Sequence, residues 1–172
     1  MLNVLKRNLD TVINIATLIC IVSLIAFFGY RWTFPQNQQS NYEEDFAEGK
    51  TLAEVPNLNE GKYEKSVILI LNTDCKYCNA SMDFYKKLAN TKYNAESGQL
   101  AALFSQPKEI VDKYVKDKNF PIRTIPGANF EKLKVGLTPT VVVIDKKRQI
   151  IKSWFGQLKT EQEQEVIGNL ER

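Results

Sequence analysis

The chain reads as an α/β protein: a central mixed β-sheet flanked by helices, preceded by one N-terminal transmembrane helix. Three observations predict this. An uncharged run lies near the N-terminus, strand-length apolar runs alternate with helical periodicity from Lys50 onward, and a pair of cysteines stands where one such run meets a helix. With 172 residues the chain holds one domain of ordinary size and some chain left over. Its composition, 44% apolar and 25% charged with only 8 Gly and 6 Pro, is that of a folded chain and excludes a disordered or fibrous one.

The run Thr11–Tyr30, TVINIATLICIVSLIAFFGY, carries no charge and, at about 1.5 Å per residue, spans roughly the 30 Å hydrocarbon core of a bilayer. Residues 11–31 are therefore expected to form the membrane helix. A cleaved signal peptide begins in the same way, with Lys6 and Arg7 before an apolar run, but this run is long for one and no small-x-small cleavage site follows it. Lys6, Arg7 and the terminal amine face Arg31 alone across the span, which puts residues 1–10 in the cytoplasm and everything after the helix outside it. Tyr30 and Trp32 suit an interfacial aromatic anchor, and Cys20, inside the apolar run, is expected to be inert. Residues 32–49, rich in Gln, Asn, Ser and acids, read as a solvated linker ahead of a domain at 50–172.

Within that domain the apolar run Ser66–Leu71 has the length and continuity of a central strand covered on both faces. Helical spacing follows over 76–89, a second strand over Leu100–Phe104, and a second helix over 108–115 opened by Pro107. A third strand is expected at 120–125, then a short helix through Phe130 and Leu133. Strands at Thr140–Ile144 and Gln149–Phe155 flank the charged turn Asp145-Lys146-Lys147-Arg148 as a hairpin. A final helix from about Thr160 to Leu170 opens with Thr160 and Glu163 at capping-box spacing.

The chain contains no histidine, which removes the commonest general base and the commonest zinc or copper ligand. The net charge of +3 offers no case for nucleic acid: three of the 23 basic residues and one of the 20 acidic ones precede Trp32, leaving the remainder at +1. What remains is Cys75-Lys76-Tyr77-Cys78. A zinc site would need a second Cys pair or a His, and neither exists. A permanent structural disulfide stays open as an alternative, although so small a ring constrains little chain entropy. A thiol at a helix N-terminus gains from the free N–H groups and the dipole, so Cys75 is expected to be the exposed nucleophile and Cys78, one turn further in, the resolving thiol.

Thr138-Pro139-Thr140, directly before a strand, is weak evidence alone. Joined to the cysteine pair, it makes the segment from about Lys50 to Arg172 resemble the thioredoxin superfamily, and within it the membrane-anchored TlpA/ResA-like thiol-disulfide oxidoreductases of bacteria. The resemblance rests on the strand before the cysteines, on Cys75 and Cys78, and on the run Gly136–Asp145. It implies a thioredoxin-like fold, a redox-active disulfide with no cofactor or metal, and a cis proline at Pro139 packed against that disulfide. It further implies that Thr138 offers its backbone to an extended substrate, beside Lys76 and Tyr77. The expected activity is reduction of protein disulfides, with electrons from a membrane carrier and a setting such as cytochrome c maturation in the periplasm or on the outer face of the membrane. A redox-silent interaction domain, a disulfide-forming oxidant and a copper-delivering relative remain as other readings, the last lacking its His. Departures from the family are Asn72-Thr73-Asp74 in place of an aromatic lead-in, Leu69 in place of a buried acid, and Arg148 in place of a turn glycine. Asp83 and Glu109 are the candidates to stand in for that acid.

Overall fold

The computed structural model describes residues 16–26, 43–53, 55, 64–91 and 99–171, and divides the chain into a unit before Gln38 and a domain from Gln38 onward. In the first unit, residues 16–26 are helical and all exposed, Leu18, Ile19, Ile21, Val22, Leu24 and Ile25 among them, as is Cys20. Among the described residues no helix is long and apolar enough to cross a membrane. Residues 11–15 and 27–31 of the expected span, the N-terminal 1–10, and 32–42 of the expected linker lie outside the described residues.

The domain is organised by β1 (Lys65–Leu71), whose residues Val67 to Leu71 are all fully buried. A strand needs apolar residues at consecutive positions only when both of its faces are covered. Its odd-numbered residues Val67, Leu69 and Leu71 enter one core; Ile68 and Ile70 enter the other. After β1 come α1 (Lys76–Ala80), α2 (Met82–Ala89), β2 (Leu100–Phe104), α3 (Lys108–Lys118), β3 (Thr124–Ile125), β4 (Thr140–Asp145), β5 (Ile150–Phe155) and α4 (Thr160–Glu171). The strand order is β3-β2-β1-β4-β5. β1 pairs with β2 in parallel, Leu69 opposite Ala102, and with β4 antiparallel, Leu69 opposite Val141. β3 continues the parallel side and β5 the antiparallel side, so the sheet is mixed as expected.

The helices supply one core: Tyr85 and Leu88 of α2, Val111 and Tyr114 of α3 and Val166 of α4 pack with Val67, Leu69 and Leu71. Phe46, Leu52, Val55 and Leu133 cover the opposite face over Ile68 and Ile70. Phe46, only 2% exposed, belongs to the segment expected as linker. Ser153 Oγ donates to its carbonyl at 2.8 Å, and Gly49 N–H donates to Ile150 O at 2.8 Å. Leu52 N–H reaches Arg148 O at 2.9 Å, and the domain therefore begins upstream of Lys50. Isolated apolar residues at irregular spacing carry no periodic signal, which is why this cover reads as tether.

Four local differences from the sequence reading have identifiable causes. The helix expected over 76–89 breaks at Ser81, whose Oγ donates to Tyr77 O at 2.9 Å and competes with the helical ladder. The third strand shrinks to Thr124–Ile125, since Asn119 is left-handed at φ 49° and Pro121 has no N–H to donate. In place of the short helix, residues 130–134 form turns: Asn129 Oδ1 accepts from Lys132 N–H at 2.8 Å, and Lys134 closes the turn at φ 56°. At α4 only one arm of a capping box forms, and one residue early. Lys159 N–H donates to Gln162 Oε1 at 2.9 Å, which releases Glu163 to pair with Lys87 at 3.0 Å.

Leu69 is fully buried in the central strand, facing the helices. Leu69→Ala should lower the free energy of unfolding by about 3 kcal/mol through lost burial and a residual cavity. Urea titration should show a lower midpoint at unchanged slope; a loss below about 1 kcal/mol would contradict this packing.

Candidate active site

Antiparallel pairing decides where the chemistry sits. β1 runs towards Cys75, and β4 starts beside its end, with Ile70 opposite Thr140. The loop before β4 is thereby brought against the loop after β1. In the first loop Asn72 Oδ1 accepts from Asp74 N–H at 2.9 Å and Asn72 O accepts from Cys75 N–H at 3.2 Å, a turn that aims the chain into α1. Cys75 is the N-cap of α1, in an extended conformation at φ −75° and ψ 117°. Its sulfur stands where a capping oxygen would, accepting from Cys78 N–H at 3.1 Å.

In the second loop the Thr138-Pro139 bond is cis, as the resemblance implies. The Cys75 thiol donates to Thr138 O at 3.3 Å. Pro139 is buried, its carbonyl accepting from Gly156 N–H at 2.8 Å, while Thr140 Oγ1 donates to Leu137 O at 2.8 Å. The structure thus joins Cys75, Cys78, Thr138 and Pro139 in one site. Lys76 and Tyr77 lie exposed at its edge, Tyr77 at 56%. Among the described residues no three His, Cys, Asp or Glu side chains gather to hold a metal ion.

The two thiols differ in burial and therefore in acidity. For Cys75, burial acts to raise the pKa, but hydrogen bonding from Cys78, joined by Thr138 and Tyr77, outweighs it and holds the thiol below its ordinary value of 9.0. Asp74, which the sequence sets against a thiolate here, is exposed, so water screens its charge. Cys78 is fully buried. Its pKa is pushed up to about 12, by burial first and then by its interaction with Cys75. The thiol that reaches solvent is thus the more acidic of the two, and the buried one holds its proton more tightly. Asp83 and Glu109, the candidate replacements for a buried acid, are both exposed. Sequence reasoning used Tyr85 only as an apolar helix position and passed over Tyr114. Both are buried in the core that holds Cys78, and the spacing of seven from Cys78 to Tyr85 was the available signal.

These directions predict a split in reactivity. In a Cys20→Ser background the alkylation rate of Cys75 should rise with a midpoint below pH 9.0, whereas Cys75→Ser, which leaves Cys78, should stay near background through pH 10. Superimposable profiles would refute the asymmetry. Stability follows the same signs. The depressed Cys75 favours the folded reduced state as pH approaches 9.0; above that, the unfolded chain releases the Cys78 proton that the folded one retains, so stability falls towards pH 12. The disulfide form, with neither thiol free, should lack the thiol contributions and keep only the fall above pH 10.0 that the raised Tyr85 and Tyr114 impose.

Residues 41–170 match the Redoxin family. Solved structures of similar fold include the thioredoxin domain of a thiol-disulfide oxidoreductase from Bacteroides vulgatus, 13% identical with a TM-score of 0.54 over 72% of this chain and 97% of that one. A thiol-disulfide isomerase from Corynebacterium glutamicum is 14% identical with a TM-score of 0.53, covering 72% and 91% of the two chains. The exposed lipoprotein thioredoxin of Streptococcus pneumoniae is 17% identical with a TM-score of 0.50, covering 64% and 85%. A search of curated protein sequences finds no match to the chain. At these identities the solved structures bear on the fold, which is thioredoxin-like. The family match spans most of the chain and encloses both cysteines and the cis proline, so the chain belongs to the Redoxin family and is a thioredoxin-like oxidoreductase.

Proposed function

We propose that the protein is a membrane-anchored thiol-disulfide oxidoreductase whose domain works outside the cytoplasm, reducing disulfides of exported proteins with electrons from a membrane carrier. Maturation of cytochromes c is one pathway that needs such a reductant. The observation that carries the thiol chemistry is the placement of Cys75: partly exposed, at a helix N-terminus, with the Cys78 N–H on its sulfur at 3.1 Å. The anchor is supported by the uncharged run Thr11–Tyr30 and by the exposure of apolar residues around the helix at 16–26.

The reaction proceeds in two exchanges. The Cys75 thiolate attacks one sulfur of a substrate disulfide, forming a mixed disulfide and expelling the other substrate sulfur, which takes up a proton. With Cys75 so engaged, its hydrogen bond to Thr138 O is gone, and that carbonyl accepts an N–H from the extended substrate chain beside Pro139. Lys76 and Tyr77, exposed in the first turn of α1, line the approach. Cys78 then attacks the Cys75 sulfur, the substrate leaves reduced, and the Cys75–Cys78 disulfide awaits electrons from the membrane donor. No metal or organic cofactor enters either step.

Trapping tests the assignment of roles. In membranes, Cys78→Ser should accumulate a mixed disulfide between Cys75 and substrate proteins, and Cys75→Ser at least tenfold less; equal trapping would reverse or remove the roles. The reduction potential tests the direction: a value near about −270 mV fits a reductant, one near about −120 mV an oxidant. Location has its own readout. External protease acting on intact spheroplasts should digest the domain, and complete protection there would place it on the cytoplasmic side.

A further inference from the structure

The core behind Cys78 is apolar except for two hydroxyls. From β1 it receives Val67, Leu69 and Leu71; from β4, Val141 and Val143; from α3, Val111; from α4, Val166. Trp154 of β5 contributes an indole whose Nε1–H is bound to Glu165 at 3.1 Å. Among the described residues the buried polar side chains are Ser81 and Thr140, with no buried charge. Among the described residues, the titratable groups of this core are Cys75, Cys78, Tyr85 and Tyr114.

Tyr85 is fully buried and Tyr114 is 7% exposed, and neither hydroxyl has a hydrogen-bond partner among the described residues. Ser81, one turn before Tyr85, gives its own proton to Tyr77 O and so has only oxygen lone pairs to offer the Tyr85 hydroxyl, an interaction that weakly opposes the rise in the Tyr85 pKa. Both rings pack against Phe120, at centroid distances of 5.8 and 5.9 Å, which brings the two phenols into one cluster. Cys78, Phe120 and both tyrosines belong to the same buried cluster. A buried hydroxyl without a partner is costly, so two of them in the core of the resolving thiol require a reason.

We propose that Tyr85 and Tyr114 form a buried hydroxyl pair that solvates the Cys78 sulfur as it becomes an attacking thiolate, in a core that holds no carboxylate. This rests on the functional reading above, since it concerns its second exchange. The phenols act as donors and stay protonated throughout; burial and the nearby thiols push both pKa values up, that of Tyr114 to about 12. At rest the neutral thiol asks little of them. When Cys78 loses its proton, charge-assisted donation from these hydroxyls, directly or through one buried water, stabilises the sulfur. The new bond joins Cys78 and Cys75, the bond from Cys75 to the substrate sulfur breaks, and the proton lost by Cys78 ends on that departing sulfur. The exchange balances without a further reactant.

The test uses the full-length Cys20→Ser chain in detergent micelles, reduced, with an aromatic disulfide reagent that releases a coloured thiolate. Two releases are expected: a fast one as Cys75 is capped, then a slower one as Cys78 expels the cap. Tyr85→Phe and Tyr114→Phe keep the rings. Each should slow the second release about tenfold, with the double variant slower still, and move its pH midpoint upward while the first release is unchanged. Two results would overturn the proposal: a second release with the parent's rate and pH midpoint in the double variant, or one slowed by the same factor at every pH alongside a lowered Tm, which marks packing alone. A parent that shows no second release removes the functional reading and this proposal with it.

Discussion

The antiparallel register of β4 on β1 is the constraint on which the site depends. Leu69 lies opposite Val141 and Ile70 opposite Thr140, so the beginning of one strand is fastened to the end of the other. Cys75 and Pro139 are 64 positions apart in sequence numbering, yet each follows or precedes this paired segment by only a few residues. The order of the site is thus inherited from the sheet, whose central strand is immobilised by burial on both faces. A slip of one residue would exchange the faces of β4 and carry the Thr138 carbonyl away from the thiol that now donates to it.

Burial then separates two chemically identical side chains. Cys75 sits at the mouth of the helix with N–H groups on its sulfur; Cys78, three residues on, points into the core. The break at Ser81 belongs to the same arrangement. A helix that turns after α1 directs Cys78 inward and still lets α2 bury Phe84, Tyr85, Leu88 and Ala89 along its own face. Asymmetry of environment leaves one thiol accessible and the more acidic, and the other buried and slow to lose its proton.

Much of this was legible in the residues, for particular reasons. The strand Leu100–Phe104 was readable to the residue because it is apolar throughout and bounded by polar turns, and the hairpin because Asp145 announces its turn, Oδ1 accepting from both Lys147 and Gln149 N–H at 2.8 Å. The cysteines and the proline were legible as chemistry, since few residue types can do what they do. Arg148 stood out as the wrong residue for a turn, and its φ of 65° shows that the backbone keeps the left-handed form without the glycine. What stayed hidden depends on contacts distant in sequence. Phe46 is one aromatic in a polar stretch until Ile68, Ile70 and Ser153 are known to lie beneath it, and no periodicity distinguishes the hydroxyl of Tyr114 from the ring that carries it.

The stitching of residues 49–52 onto the hairpin governs how the domain behaves as a separate fragment. β5 is an outer strand of the sheet, and Gly49, Lys50 and Leu52 occupy backbone groups of Ile150 and Arg148 that would otherwise face water. A recombinant fragment starting at the apparent boundary, Lys50, would lose Phe46 from the core and leave this margin partly bare. Unpaired strand margins with apolar residues close by recruit strands from other molecules. Such a fragment should oligomerise through β5, whereas one retaining the chain from Glu43 carries its own guard strand and stays dispersed.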